Sequence, residues 1–132
     1  MHLDRHYLQR RLWLECSALT TMGELIQSAQ TMYPTEGLTS LVLMTTIYSG
    51  TSFSPGGFHL AIDGALNRAG PWTSCQLYQV DPGTQRALLS AGASPNEPSR
   101  FLWPWLRWRW MSTEGPITDA NLCFETRVQP RR

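Results

Sequence analysis

The segment "FLWPWLRWRWM", residues 101–111, holds four of the six tryptophans of the chain together with two arginines. A strand buried on both faces would exclude the guanidinium groups, and a strand solvated on both faces would exclude the indole rings. Because side chains alternate between the two faces of a strand, the segment is predicted to form one strand with two unlike faces. The predicted faces are Leu102, Pro104, Leu106, Trp108 and Trp110 on one side, and Phe101, Trp103, Trp105, Arg107 and Arg109 on the other.

Alternating apolar residues predict further strands elsewhere in the chain. They cover residues 7–16, 58–66, 74–80 and 122–128. In the first of them, Arg11, Trp13 and Glu15 share a face. The tetrapeptide "DPGT", which starts at Asp81, predicts a turn after the third of these strands and before "QRALL".

Two segments in the first half of the chain are predicted to be helical. Thr21 and Glu24 have the spacing of a capping box. The apolar residues around them recur at helical intervals up to Pro34, and they are Met22, Leu25, Ile26, Ala29 and Met32. The apolar run over residues 38–48 is interpreted as a second helix, although residues 45–48 are typical of strands.

These elements predict an α+β fold, in which an antiparallel β-sheet carries one or two N-terminal helices packed on it. A chain of 132 residues is expected to form a single domain over residues 1–132. Within it, residues 1–6 are expected to be frayed, residues 90–100 to form a mobile loop, and residues 129–132 to be a basic tail.

The positive charge of the chain is made entirely of arginine, with eleven arginines, no lysine and a net charge of +1. Arginine forms planar contacts with phosphate groups and aromatic faces. A GC-rich genome, which disfavours lysine codons, would give the same composition. The net charge therefore favours no class of partner by itself.

Catalytic motifs are absent from the sequence. His59 and Asp63 would lie about 13 Å apart on one face of a strand, which is too far for a catalytic dyad. Cys75 has no base close to it in the sequence. We therefore predict that the protein is not an enzyme and has no catalytic residue.

The sequence also predicts no metal site and no cofactor. His2 and His6 are four residues apart but have no third ligand nearby. The three cysteines, Cys16, Cys75 and Cys123, are widely spaced, which is typical of free thiols in a reducing compartment.

Binding is predicted for the face of the 101–111 strand that carries tryptophan and arginine. Indole rings beside guanidinium groups suit a membrane interface, where arginine meets lipid phosphate. They equally suit single-stranded nucleic acid, in which bases stack on rings. A third interpretation packs the rings internally, with the arginines extending over them. The candidate membrane- or phosphate-binding residues are Arg10, Arg11, Trp103, Trp105, Arg107 and Arg109.

The order of these elements resembles the matrix proteins of rhabdoviruses. The segment "RRLWLECSALTTMGELIQSAQTMYPTEG" resembles the family's opening strand, Ser/Thr turn and helix, with Tyr33 and Gly37 in the later positions. The segments "LTSLVLMTTIYSG" and "GGFHLAIDGALNRAGPW" are similar to vesicular-type members. The chain resembles lyssavirus-type members in the order of Trp110, then Gly115-Pro116, then the strand over residues 122–128. The family's lysine-rich arm and Pro-rich late-domain motif are absent.

The resemblance implies a non-enzymatic viral structural protein that takes part in virion assembly and budding. Such a protein would self-associate as a homo-oligomer, bind the viral nucleocapsid, and bind the anionic inner face of a host membrane. It would be found in the virion and in the host cytoplasm at the inner membrane face, and a non-viral protein of this kind would be cytoplasmic. A loop carrying Phe53, or Ser94, Pro95 and Pro98, is expected to mediate self-association. The alternative is a small accessory protein that binds RNA or another single-stranded nucleic acid through its Arg/Trp face.

Overall fold

The structure is a computed structural model, and it describes residues 5–15, 24–51, 58–112 and 121–132. These residues form two antiparallel β-sheets packed face to face. The strands are β1 (Tyr7–Glu15), β2 (Glu24–Ile26), β3 (Tyr33–Pro34), β4 (Ser40–Thr51), β5 (Phe58–Ala65), β6 (Thr73–Gln79), β7 (Gly83–Ser90), β8 (Trp105–Ser112) and β9 (Asn121–Arg131).

One sheet has four strands in the order β1-β9-β4-β7. The other has five, in the order β2-β8-β5-β6, with β3 pairing beside β2 on the same edge of β8. A tight turn at residues 80–82 joins β6 to β7, as "DPGT" predicted, so these two edge strands lie at the same flank of the sandwich. The strands β1 and β2 lie at the opposite flank.

The predicted α+β fold is wrong, because no α-helix is present among the described residues. The helix expected over residues 21–33 is replaced, from residue 24 onward, by β2, one 3-10 turn (Ala29–Thr31) and β3. Residues 21–23 lie outside the described residues. The second expected helix is β4, which is paired on both sides and buries Leu41, Leu43 and Ile47 against the opposite sheet. Tertiary pairing has overridden a local helical pattern.

Two segments that were expected to be irregular, residues 129–132 and residues 90–100, make regular backbone hydrogen bonds in part. Residues 129–131 are the end of β9 and pair with β4, so they form part of the sheet. Residues 91–102 form a series of hydrogen-bonded turns. The amide of Leu102 donates to the carbonyl of Ser90, and the indole of Trp103 donates to the carbonyl of Pro98.

The core lies between the inner faces of the two sheets. Trp108 of β8 meets Phe124 of β9 edge to face, with 5.4 Å between the ring centroids. The indole N–H of Trp108 donates to Oε1 of Gln9 at 2.7 Å, so the ring packs against the opposite sheet and its polar atom has a partner there. The hydroxyls of Thr45 and Thr126 satisfy each other inside this core, 3.1 Å apart.

Gln27 closes the flank at which β1 and β2 lie. Its backbone amide donates to the carbonyl of Trp108, and its side-chain oxygen accepts from the amide of Trp108. Its side-chain nitrogen donates to the carbonyls of Leu8 in β1 and Thr31. Close by, the Tyr33 hydroxyl donates to the carbonyl of Arg5. The bond to Leu8 crosses to the four-stranded sheet, and the bond of Tyr33 reaches the residues just before β1. Together these bonds satisfy backbone groups that a regular strand would otherwise have to pair.

Gly64 is required by the close approach of Trp103 to β5. A Cβ atom built at Gly64 would lie 2.2 Å from Cγ of Trp103, a separation that neither the strand nor the ring can tolerate. We expect Gly64→Ala to lower the free energy of unfolding by about 1 to 3 kcal/mol, because extra volume in a packed core forces shifts of side chains and backbone. Urea unfolding measures this directly.

The matched control is Gly92→Ala, since a Cβ there would come no closer than 3.6 Å to its nearest neighbour, Oγ of Ser90. We expect its midpoint to stay within experimental error of the parent protein. Equal midpoints for the two variants would show that Trp103 does not pack on Gly64.

Candidate binding surface

The strand β8 has the two unlike faces that the sequence predicted. Leu106, Trp108 and Trp110 point into the core and are buried. Trp105, Arg107 and Arg109 lie on the outer face of the five-stranded sheet. Trp103, which was assigned to the outer set, lies instead in the core over Gly64 and is 7 % exposed. The strand begins at Trp105, so the alternation does not extend back to Trp103.

The two arginines of β8 are bound to one buried carboxylate. Asp63, on the neighbouring strand β5, is fully buried. Its Oδ2 accepts from Nε of Arg107 and from Nε of Arg109, each at 3.0 Å. Its Oδ1 lies 3.3 Å from Nη2 of Arg109 and 3.3 Å from the hydroxyl of Ser74. A second carboxylate, Glu24 of β2, lies 3.4 Å from Nη1 of Arg109. We call these five side chains the Asp63 cluster.

The carboxylates of the cluster balance the charge of its two arginines. The hydrogen bonds to Asp63 raise the pKa of Arg109 above its ordinary value. The guanidinium of Arg107 is stacked on the ring of Trp72, with 4.2 Å from Cζ to the ring centroid. Two arginines facing two carboxylates leave no excess charge for an external phosphate.

Trp105 is also engaged from within the chain. The Cζ atom of Arg68 lies over its ring at 5.4 Å from the centroid, and the same guanidinium donates to the carbonyl of Ala29. The predicted phosphate-binding side of β8 is therefore a structural contact region in the described part of the chain. Its arginines stabilise the sheet from outside, and its rings pack against other side chains.

A second surface combines arginine with exposed aromatic side chains, and it lies on the other sheet. It is the outer face of β1, β9, β4 and β7. We call it the arginine–aromatic face, and define it by Tyr7, Arg10, Arg11, Trp13, Tyr48, Arg86 and Arg127. The predicted residues Arg10 and Arg11 belong to it. The six predicted binding residues are thus divided between the two sheets and the core.

Stacking orders the side chains of the arginine–aromatic face. The guanidinium of Arg11 lies 3.8 Å above the ring centroid of Tyr48. Tyr7 is approached by Arg10 at 4.6 Å and by Arg127 at 5.6 Å. A guanidinium stacked on a ring keeps its in-plane N–H groups directed outward, where they can donate to a phosphate.

Trp13 supplies an open ring on the same face, at the solvent-exposed end of β1. It is 54 % exposed and pairs across the ladder with Cys123. Across the sheet, Arg86, Met44, Arg127 and Tyr7 lie in one row from β7 to β1. At the usual spacing of strands, Arg86 and Arg127 are about 10 Å apart.

The carboxylates on this face are fewer than its arginines. Glu125 is mostly covered; it accepts the hydroxyl of Tyr48 and lies 3.8 Å from Nε of Arg127. Glu15 is exposed at the end of β1. Counted over the described residues of this face, four arginines against these two glutamates leave an excess of positive charge, in contrast with the balanced Asp63 cluster.

The residues predicted for self-association are only partly described. Phe53 lies outside the described residues. Ser94 and Pro95 are exposed, in a turn where the Ser94 hydroxyl accepts from the amide of Asn96. Pro98 is half-buried and holds the indole of Trp103. Pro98 is thus anchored to the core, whereas Ser94 and Pro95 face solvent.

The residues considered for catalysis, Cys75, His59 and Asp63, do not form a catalytic site within the described part of the chain. Burial raises the pKa of the Cys75 thiol to about 12, and the Asp63 carboxylate acts in the same direction. A thiol in that state is a poor nucleophile near neutral pH. The carboxylate of Asp63 contacts Arg107, Arg109 and Ser74. His59 comes before Asp63 on β5 and is not among these contacts.

Two further findings apply to residues 5–15, 24–51, 58–112 and 121–132 alone. Within them, no three side chains of His, Cys, Asp or Glu come together to hold a metal ion. No helix in these ranges is long and apolar enough to cross a bilayer. His2 and Cys16 lie outside them.

Comparison with known proteins gives no family for the chain. No protein-family model, no curated protein and no solved structure gives a significant match.

Proposed function

We propose that this chain is a non-enzymatic binding protein whose arginine–aromatic face holds single-stranded nucleic acid. One observation supports the proposal most directly. Arginines and aromatic rings interleave on an exposed sheet face with an excess of positive charge, while the arginines of β8 are neutralised by Asp63 and Glu24.

The chemistry of a single strand fits the two kinds of side chain on this face. Unpaired bases stack on aromatic rings, and each such contact contributes about 1 to 3 kcal/mol. Trp13 offers the open ring for stacking. The arginines, already held in place over Tyr7 and Tyr48, would donate to backbone phosphates with little further loss of side-chain entropy.

A lipid surface is the competing ligand and fits this face less well. An arginine near an anionic bilayer contributes only about 1 kcal/mol, so four of them opposed by two glutamates give weak attraction. Binding at the interface also needs apolar side chains that enter the bilayer. Among the described residues of this face, the large exposed hydrophobic side chains, Trp13, Tyr48 and Leu88, are spread over β1, β4 and β7.

The matrix-type role predicted from the sequence would include binding of nucleic acid. In an assembly protein of that kind, the arginine–aromatic face would contact the RNA of a nucleocapsid. The helices on which the resemblance relied are replaced by strands in the described residues. The matrix-type role therefore remains a prediction, and nucleic-acid binding is the part of it that can be tested on the isolated chain.

The test is a fluorescence-anisotropy titration with a labelled single-stranded RNA of about 12 nucleotides, a usual length for one binding module. We expect saturable binding that weakens steeply between about 50 and about 200 mM salt. With three or four phosphates contacted, the slope of log K against log salt should be about −2 to −3. A flat titration overturns the proposal.

The same preparation is tested by flotation with phosphatidylserine vesicles in the absence of RNA. We expect the protein to stay at the bottom of the gradient. Flotation together with a flat RNA titration would indicate that this face binds a membrane and does not bind RNA.

A further inference from the structure

The two flanks of the sandwich are covered by different hydrogen-bonded contacts. At the β1/β2 flank, Gln27 and Tyr33 bond to carbonyls of the neighbouring sheet. At the β6/β7 flank, residues 91–102 cover one end, where Gln76 donates to the carbonyl of Ser99 and Ser90 bonds to Arg100 and Leu102. Beyond that end, no described residue pairs with the outer edge of β7.

The hydrogen bonds of Ser90 show which backbone groups of β7 point outward. The amide of Ser90 donates to the carbonyl of Arg100, and its carbonyl accepts from Leu102, so both groups point away from β4. The amide of Ala91 donates to Thr39 on the β4 side. The ladder to β4 has no bulge. Because backbone groups alternate sides along a strand, those of Thr84, Arg86 and Leu88 also point away from β4.

Of the usual devices that prevent strand addition, this edge has one charged side chain, Arg86, and no bulge. The strand "GTQRALLS" contains neither proline nor lysine. Leu88 is 60 % exposed on the outer face of one sheet, and Leu77 is 57 % exposed on the outer face of the other, close to the same flank. A strand with free donors and acceptors and exposed apolar neighbours is a template for another strand.

We propose that two copies of this chain associate through antiparallel pairing of their β7 edges. A two-fold axis beside Gln85 would pair Thr84 of each copy with Arg86 of the other. This register uses only outward-pointing backbone groups, keeps the two Arg86 side chains from directly opposing each other, and leaves the bonds of Ser90 undisturbed.

The pairing gives one continuous eight-stranded sheet. Its two-fold axis is perpendicular to the sheet, so both arginine–aromatic faces lie on the same side. The dimer would present twice the length of that surface to one ligand. The inference does not depend on what the face binds, because the dimer is held by backbone groups and is tested without nucleic acid.

The first test is sedimentation velocity over a hundredfold range of protein concentration. We expect a monomer–dimer equilibrium for the parent protein and for Arg86→Ala, which keeps the backbone N–H. Arg86→Pro removes that outward N–H without removing a bond to β4, so it should stay monomeric throughout the range. A parent protein that is monomeric throughout, or a dimeric Arg86→Pro, overturns the inference.

Hydrogen exchange of the unmodified protein gives a second test that requires no variant. The amides of Gln85, Ala87 and Leu89 bond to β4 and should be protected at every concentration. Those of Thr84 and Arg86 should gain protection only as the dimer forms. Uniform protection along β7 that does not change with concentration would contradict edge pairing, whether or not Arg86→Pro folds.

Discussion

Replacing Asp63 by Asn is expected to lower the free energy of unfolding by about 3 to 5 kcal/mol, because it leaves two mostly buried guanidinium groups without their carboxylate. Arg107 and Arg109 have only 13 % and 18 % of their side chains exposed, and both donate to Oδ2 of Asp63 at 3.0 Å. Glu24 would remain beside Arg109 but is itself 42 % exposed. Chemical denaturation monitored by tryptophan fluorescence measures the change.

The control for this substitution is Glu97→Gln, which removes a carboxylate from an ion pair of the opposite kind. Arg100 and Glu97 are 3.4 Å apart, with 74 % and 56 % of their side chains exposed. Exposed pairs of this type contribute about 0 to 1 kcal/mol. If Asp63→Asn is no more destabilising than Glu97→Gln, then the Asp63 cluster does not hold β8 in the sheet, and its arginines are free for other ligands.

Reversing two charges on the arginine–aromatic face is expected to abolish most of the affinity for RNA without unfolding the protein. For Arg11→Glu/Arg127→Glu we expect about a hundredfold weaker binding, with about tenfold, or 1.4 kcal/mol, from each position. The slope of log K against log salt should flatten by about 0.7 for each arginine removed. Both side chains are exposed, so the loss of their stacking on Tyr48 and Tyr7 should cost only about 1 kcal/mol of stability each.

Arg100→Glu is the control, a single charge reversal in the 91–102 segment at a residue that is not among those defining this face. We expect less than a twofold change in its affinity for RNA. A comparable loss of affinity in Arg100→Glu and in the double variant would mean that binding responds to total charge. The arginine–aromatic face would then have no specific role.

The strands predicted from the alternating pattern agree with the structure, whereas both predicted helices are wrong, for a physical reason that can be traced to β4. Leu41, Leu43, Thr45 and Ile47 alternate correctly for a strand and are buried. The residues between them, such as Val42 and Met44, are also apolar, because β4 is paired on both sides and is partly covered on its outer face. The sequence of such a central strand is a continuous apolar run. Periodicity cannot distinguish this run from a buried helix.

The alternation of β8 was predictable, whereas the partners of its arginines were not. Asp63 lies 44 positions before Arg107 in the sequence, and only the register of β5 against β8 brings them together. A carboxylate within the apolar strand "FHLAIDGAL" was a usable signal, since a buried charge requires an opposite charge beside it. The displacement of Trp103 into the core depends on Gly64, and no local pattern indicates that contact.

The candidate surface could be predicted only in part. Arg10 and Arg11 were selected from the sequence, and Trp13 was placed on the same strand face as Arg11. Tyr48 and Arg127 join them through the pairing of β1 with β9 and of β9 with β4. The β1–β9 pairs join residues more than a hundred positions apart, and the β4–β9 pairs join residues 70 to 91 positions apart. Only the fold therefore shows that these side chains share a surface.

The most direct measurement asks which sheet touches nucleic acid. Single-stranded RNA is photo-cross-linked to the protein, and the modified peptides are identified by mass spectrometry. We predict adducts at Trp13, Tyr48 or Tyr7, on the outer face of the four-stranded sheet. Adducts confined to Trp105 or Trp72, beside the Asp63 cluster, would contradict the assignment and return the binding site to β8.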